Sequence, residues 1–167
     1  LTLEAPDLAV PDEESQMEIA GELCRRIREL IQKKRSEKKD LSVLVVGLGN
    51  RDITPDALGP YVVDHLNVTR DIVKEYGKYA MGIDQADLVS AVVPGVMGQT
   101  GMETAEIVRG IVRETSPDLV IAVDALAARN SRRLNRTVQI ADTGIHPGSG
   151  VGNHRHGMTE DSLGIPV

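Results

Sequence analysis

Phenylalanine and tryptophan are absent from these 167 residues, and three tyrosines make up the whole aromatic complement. A chain so poor in rings offers almost nothing for bases to stack on, which argues against a single-strand nucleic-acid platform. Positive charge is short as well. Nineteen Lys and Arg stand against 25 Asp and Glu, a formal charge of −6, so long-range steering toward phosphate backbones is not built in. Cys24 is the only cysteine; no internal disulfide framework exists, which fits a reducing compartment. No apolar run reaches the ~20 residues of a membrane span, and no charged n-region precedes an apolar h-region. Several motifs are missing too. GLGN at 47–50 lacks the third glycine of a dinucleotide fingerprint, GK[ST] occurs nowhere, and there is no GxSxG elbow.

What is present centres on 41–60, LSVLVVGLGNRDITPDALGP. Val43, Leu44, Val45 and Val46 form an apolar, β-branched run of the kind expected of a strand buried on both faces. Gly47 and Gly49 break it, and Asn50 to Ile53 make a polar loop. Thr54-Pro55-Asp56 then reads as a helix start, with a hydroxyl N-cap, proline at the first helical position and an acid in the first turn. The predicted helix continues through Ala57, Leu58, Val62, His65 and Leu66 to about Val68, with His65 on its flank. Strand, glycine loop and helix are the first half of a parallel α/β unit. In open α/β sheets, ligands and catalytic groups collect in such loops, outside the carboxyl ends of the strands.

The remaining elements are read from the same periodicities. Leu1 to Val10 predicts a short edge strand running into a proline-bounded linker. Ile19, Ala20, Leu23, Ile27, Leu30 and Ile31 fall at helical spacing over about 12–34, with Cys24 on the same helix. The basic run Lys33, Lys34, Arg35, Lys38, Lys39 reads as that helix's solvated C-terminal end. Residues 70–86 read as polar and irregular. Asp87 to Val93 predicts a second strand, Val96 to Gly101 a flexible loop, and Met102 to Thr115 a helix ended by Ser116-Pro117-Asp118. Leu119 to Val123 predicts a third buried strand followed by Asp124, and Thr137 to Ile140 a fourth. Strands alternating with helices predict a three-layer α/β/α fold with a mainly parallel twisted sheet, in one domain over 1–167. The start at Leu1 and the strand-like GIPV end suggest a fragment of a longer protein.

Two acids occupy equivalent places, Asp56 after the first strand's loop and Asp124 directly after the third strand. Parallel strands point their carboxyl ends the same way, so both predicted loops open on one sheet edge. A carboxylate pair there can share a proton and a water, one acting as general base beside a general acid. Read singly, Asp56 is equally well a helix-dipole acid and Asp124 an N-cap for the next element. Asp142, His146, His154 and His156 form a second cluster. Mixed His and carboxylate ligands suit a divalent metal, yet the spacing matches neither HExxH nor a zinc-finger pattern. The glycine-rich loop 142–153 suits close backbone approach to an extended ligand, with N–H donors for peptide carbonyls or an oxyanion.

Four segments carry a resemblance: VVGLGNRDITPDALGP (45–60), VVPGVMGQTGMET (92–104), PDLVIAVDALAARN (117–130) and DTGIHPGSGVGNHR (142–155). With the stretches linking them the chain resembles, over roughly 41–167, the germination proteases of spore-forming Firmicutes. The resemblance implies an endopeptidase that degrades small acid-soluble spore proteins at germination. It implies a precursor that loses an N-terminal propeptide by self-cleavage, and a homotetramer working in the cytoplasm of the forespore and spore core. It places the catalytic aspartates at Asp56 and Asp124; the two glycine loops themselves offer Gly49, Asn50, His146, Gly148, Ser149 and Gly150 as candidate substrate-binding residues. No cofactor, resident metal, membrane or direct nucleic-acid contact is expected. The propeptide and the C-terminal part of such a protein are absent from this sequence. The fold is similar to that of hydrogenase-maturation endopeptidases, whose equivalent acids hold a metal. A metal-dependent peptidase using the same aspartates is therefore one alternative, and a non-catalytic peptide-binding module the other.

Overall fold

The computed structural model describes residues 1–10, 12–34, 40–82, 86–128, 130–147 and 156–167. In chain order its elements are β1 (Thr2–Glu4), α1 (Glu13–Lys34), β2 (Ser42–Gly47), α2 (Leu58–Asp64), α3 (Arg70–Tyr76), β3 (Leu88–Val92), α4 (Met97–Thr100), α5 (Thr104–Thr115), β4 (Leu119–Val123), β5 (Thr137–Gln139) and α6 (Glu160–Leu163). The chain falls into two compact units, 1–36 with 126–142, and 37–125 with 143–167.

In the first unit β1 and β5 pair antiparallel, with Leu3 opposite Val138. Of the expected apolar stripe on α1, Ile19, Leu23, Ile27, Leu30 and Ile31 are half-buried and Ala20 is exposed; none of the helix's residues is fully buried. Its surface is laced by Glu22–Arg25, Arg25–Glu29 and Glu22–Arg26 ion pairs, and Cys24 is exposed.

The second unit is built on β2. It lies between β3 and β4, and all three run parallel, Val45 standing opposite Ala91 on one side and Ile121 on the other. Side chains alternate across a strand, and here both faces are covered. Leu44 and Val46 join Ala105, Val108 and Val112 of α5, Val120, Met158 and Leu163 in one apolar core. Val43, Val45 and Gly47 face the other way, where the α2 backbone at Gly59 and the Val63 side chain come against Gly47. Helices on both faces of a parallel sheet make the expected three layers. Each fully buried Val or Leu here contributes on the order of 1.5–3 kcal/mol.

Several local expectations are corrected. Thr137 to Ile140 does hold a strand, but β5 pairs with β1 and lies outside the parallel sheet, so the glycine loop after it does not follow a strand of that sheet. A parallel return needs a crossover of a dozen or more residues, usually helical. Among the described residues of 124–136 there is only a 3-10 turn, Ser131–Arg133. The stretch 70–86, read as irregular, contains α3 and a 3-10 turn at Lys78–Met81. The 96–101 loop contains the short α4. The helix expected to start at Thr54 begins as a 3-10 turn, Thr54–Asp56; α2 proper starts at Leu58 and ends at Asp64, short of Val68. Thr54 caps nothing with its side chain, since Ile53 precedes the turn and Pro55 sets its first dihedrals.

Candidate active site

Asp56 is placed by the loop that leaves β2. Gly49 has φ +110°, and a Cβ there would stand 3.1 Å from the Asp56 carboxyl carbon and closer still to the Asp56 carbonyl oxygen. Only glycine combines that dihedral with that approach. The loop folds back so that the Asn50 backbone N–H donates to Asp56 Oδ2 at 2.8 Å, leaving the carboxylate half-buried. The Asn50 side chain is itself held, its Oδ1 accepting from the Asp52 N–H at 3.0 Å and from Gln99 Nε2 at 3.3 Å. Arg51, next in the loop, directs both terminal nitrogens at the carboxylate of Asp64 on α2. Their hydrogen bonding holds the Asp64 carboxyl below its usual range and raises the Arg51 guanidinium.

Asp124 follows β4 immediately. Gly47 and Val123 are register partners at the carboxyl ends of β2 and β4. The ladder runs one step further, with the Leu48 N–H donating to the Val123 carbonyl at 2.8 Å. Asp124 therefore leaves its strand beside Leu48 and Gly49, about one inter-strand spacing of ~4.8 Å away in backbone terms. Over this junction lies Gly59 of α2. A Cβ there would sit 2.6 Å from the Val123 carbonyl oxygen and closer to the Leu48 N and O. Asp124 is half-buried, and its Oδ1 accepts from the Ala125 N–H at 2.9 Å.

Two other aspartates show what a structural acid looks like in this sheet. Asp87 and Asp118 precede β3 and β4, at the opposite edge, and accept from the N–H groups of Leu41 and Ser42, both at 2.8 Å. They close the start of β2. Asp56 and Asp124 stand instead where the strands end, on half-buried loops at the edge where parallel sheets present their chemistry.

A model of the germination protease family matches residues 1–167. The chain belongs to that family. It is 53% identical over 167 residues to the germination protease of Caldanaerobacter subterraneus subsp. tengcongensis, a match covering 100% of this chain and 50% of that protein. Against the germination proteases of Bacillus subtilis and Priestia megaterium the identity is 47% over 167 residues, again 100% of this chain, with 45% and 44% of those proteins covered. The chain thus spans about half the length of the curated relatives it matches.

The second cluster is only partly in view. Ile145 and Met158 exchange both backbone hydrogen bonds, at 2.9 and 2.8 Å, and Met158 is wholly buried, so the base of the 146–157 loop is pinned to the core. His146 is exposed at that base, its ring lying over Gly157, where a Cβ would meet Nε2 at 2.6 Å. Gly148, Ser149, Gly150 and His154 lie outside the described residues. His156 pairs with Glu103 at the start of α5, Nδ1 to Oε2 at 2.5 Å. Asp142 belongs to the first unit, His146 and His156 to the second. Among the described residues no group of three or more His, Cys, Asp or Glu side chains is placed to hold a metal ion, so a full ligand set is not offered there. No described helix is long and apolar enough to cross a membrane. His65 caps α2, its Nδ1 2.8 Å from the Tyr61 carbonyl oxygen.

Sequence reasoning missed Arg51 and Gln99. Arg51 carried a signal, since an arginine in a polar loop beside an acidic helix end needs a partner. Gln99 carried none, because it meets Asn50 across 49 residues.

Proposed function

We propose that this chain supplies the catalytic part of an endopeptidase that hydrolyses small acid-soluble spore proteins during germination. Asp56 and Asp124 are the pair that activates water. The observation that carries this reading is the position of both acids beyond adjacent, hydrogen-bonded strand ends on one edge of a parallel sheet. Family membership supports the reaction class, and the match over both compact units supports reading them as parts of one peptidase domain.

In this mechanism one carboxylate takes a proton from a water as the water's oxygen attacks the peptide carbonyl carbon. The other, carrying a proton, donates it to the carbonyl oxygen. The first, now protonated by the water, then gives that proton to the leaving amine as the other takes one back from the gem-diol hydroxyl and the C–N bond breaks. Backbone N–H groups of the 144–152 loop, with Gly148, Ser149 and Gly150, hold the developing oxyanion, and His146 and Gly49 border the bound peptide. Asn50 serves mainly by its backbone grip on Asp56. The full-length protein works as a self-processed homotetramer in the spore core, without touching nucleic acid directly.

The test is cleavage of a small acid-soluble spore protein by the full-length protein, with each aspartate replaced by asparagine and with EDTA present or absent. Loss of cleavage in both variants, and none with EDTA, supports the aspartate pair. Loss with EDTA that added metal restores makes the same acids metal ligands. A double variant that binds the substrate as tightly as a wild type that never cleaves it shows a binding module.

A further inference from the structure

We propose that Gln99 is a positioning residue for Asp56, acting through Asn50, so that the loop after β3 sets the orientation of the acid on the loop after β2. The inference rests on the reading of Asp56 as a catalytic acid and adds to it the part of the molecule that aims the carboxylate. Two bonds make the relay: Gln99 Nε2 to Asn50 Oδ1 at 3.3 Å, and the Asn50 N–H to Asp56 Oδ2 at 2.8 Å.

The polarity of the relay follows the Asn50 amide, whose oxygen accepts from the Asp52 backbone N–H at 3.0 Å and so faces its donors. With oxygen fixed there, Gln99 must present its NH2 group. Among the described residues the Asn50 N–H is the only donor seen on the Asp56 carboxylate, so a shift of the Asn50 backbone is transmitted to it without a competing restraint.

Gln99 stands on α4, a single helical turn between Gly95 (φ +75°) and Gly101 (φ +71°), and its side chain is exposed. An exposed glutamine on such a turn adds little to the core. Its bond joins two loops beyond the last β2–β3 register pair, Val46 and Val92. Because a misplacement of about 1 Å at a reacting group can cost on the order of a hundredfold in rate, a weak bond in this place has kinetic rather than thermal consequences.

The experiment compares Gln99→Ala and the isosteric Gln99→Glu, which replaces the donor by an acceptor facing the Asn50 oxygen. Both are made in the full-length protein cleaving a small acid-soluble spore protein, with Asp56→Asn in parallel. The expected result is a fall in kcat of about tenfold in both variants, with KM within twofold and the thermal midpoint unchanged. A kcat within twofold of wild type in Gln99→Glu overturns the relay while leaving the Asp56 reading intact. A rise in KM at constant kcat also overturns it, making Gln99 a substrate contact. Full activity in Asp56→Asn removes the acid itself, and the relay with it.

Discussion

The substitution Gly59→Ala probes the junction that brings the two acid-bearing loops together. Gly59 is buried, and the added Cβ would fall 2.6 Å from the Val123 carbonyl oxygen and nearer still to the Leu48 N and O. All three atoms are backbone, and two of them, Leu48 N and Val123 O, form the bond that extends the β2–β4 ladder, so no flexible side chain can give way. Forcing extra volume into a packed site costs typically 1–3 kcal/mol, and losing the Leu48 N–H bond to Val123 adds about 1 kcal/mol. A destabilisation of about 2–4 kcal/mol is expected. Gly110→Ala is the matched control: it lies inside α5, nothing stands within 4 Å of its added Cβ, and a gain of roughly 0.5–1 kcal/mol should come from helix propensity. Urea titration of the full-length protein and both variants reads the difference, and peptide cleavage is measured alongside. Gly59→Ala should also lose most cleavage, since α2 must lift and carry the Asp56 loop away from Asp124. A stability within 0.5 kcal/mol of wild type would refute the close approach of α2 to the strand ends.

Three further outcomes are expected. Asp56→Asn and Asp124→Asn should each abolish nearly all cleavage while changing stability by no more than about 1–2 kcal/mol, as half-buried loop residues do; urea titration and cleavage of the same preparations check both halves. Arg51→Gln should weaken the fold only where Asp64 is ionised. The folded Asp64 carboxyl is held below its ordinary 3.8, so the contribution is full above that value and disappears as pH falls through the lower folded value. Melting curves of wild type and variant should therefore converge in strong acid. His65→Ala should leave cleavage unchanged, because the imidazole caps α2 rather than facing the strand-end loops.

The parallel sheet was legible because β2 and β4 carry the apolar, β-branched runs that two-sided burial demands, and Ser116-Pro117 marks the end of α5 unmistakably. The shared edge was legible for a related reason: parallel strands fix which loops leave the same side of the sheet, so the loops carrying Asp56 and Asp124 could be placed together without knowing any distance. What failed was local and short. The run 70–76 carries helix signals in Asp71, Ile72, Val73 and Tyr76, with Gly77 at φ +76° after them, but its polar surroundings masked them. β5 was read as a sheet strand because alternation in Thr137-Val138-Gln139 reports a half-buried strand and says nothing about its partner. The relay through Gln99 was invisible because long-range side-chain bonds between loops leave no periodic trace.

The measurement that bears most directly on the aspartate pair is the separation of its carboxylates in a crystal structure of the full-length protein with a non-cleavable peptide bound. Two carboxylates that share one water and influence each other's ionisation should face a common crevice with their nearest oxygens within roughly 8 Å. A water or the scissile carbonyl should lie between them. Carboxylates more than about 12 Å apart, or opening on opposite edges of the sheet, could not serve one water and would contradict the account.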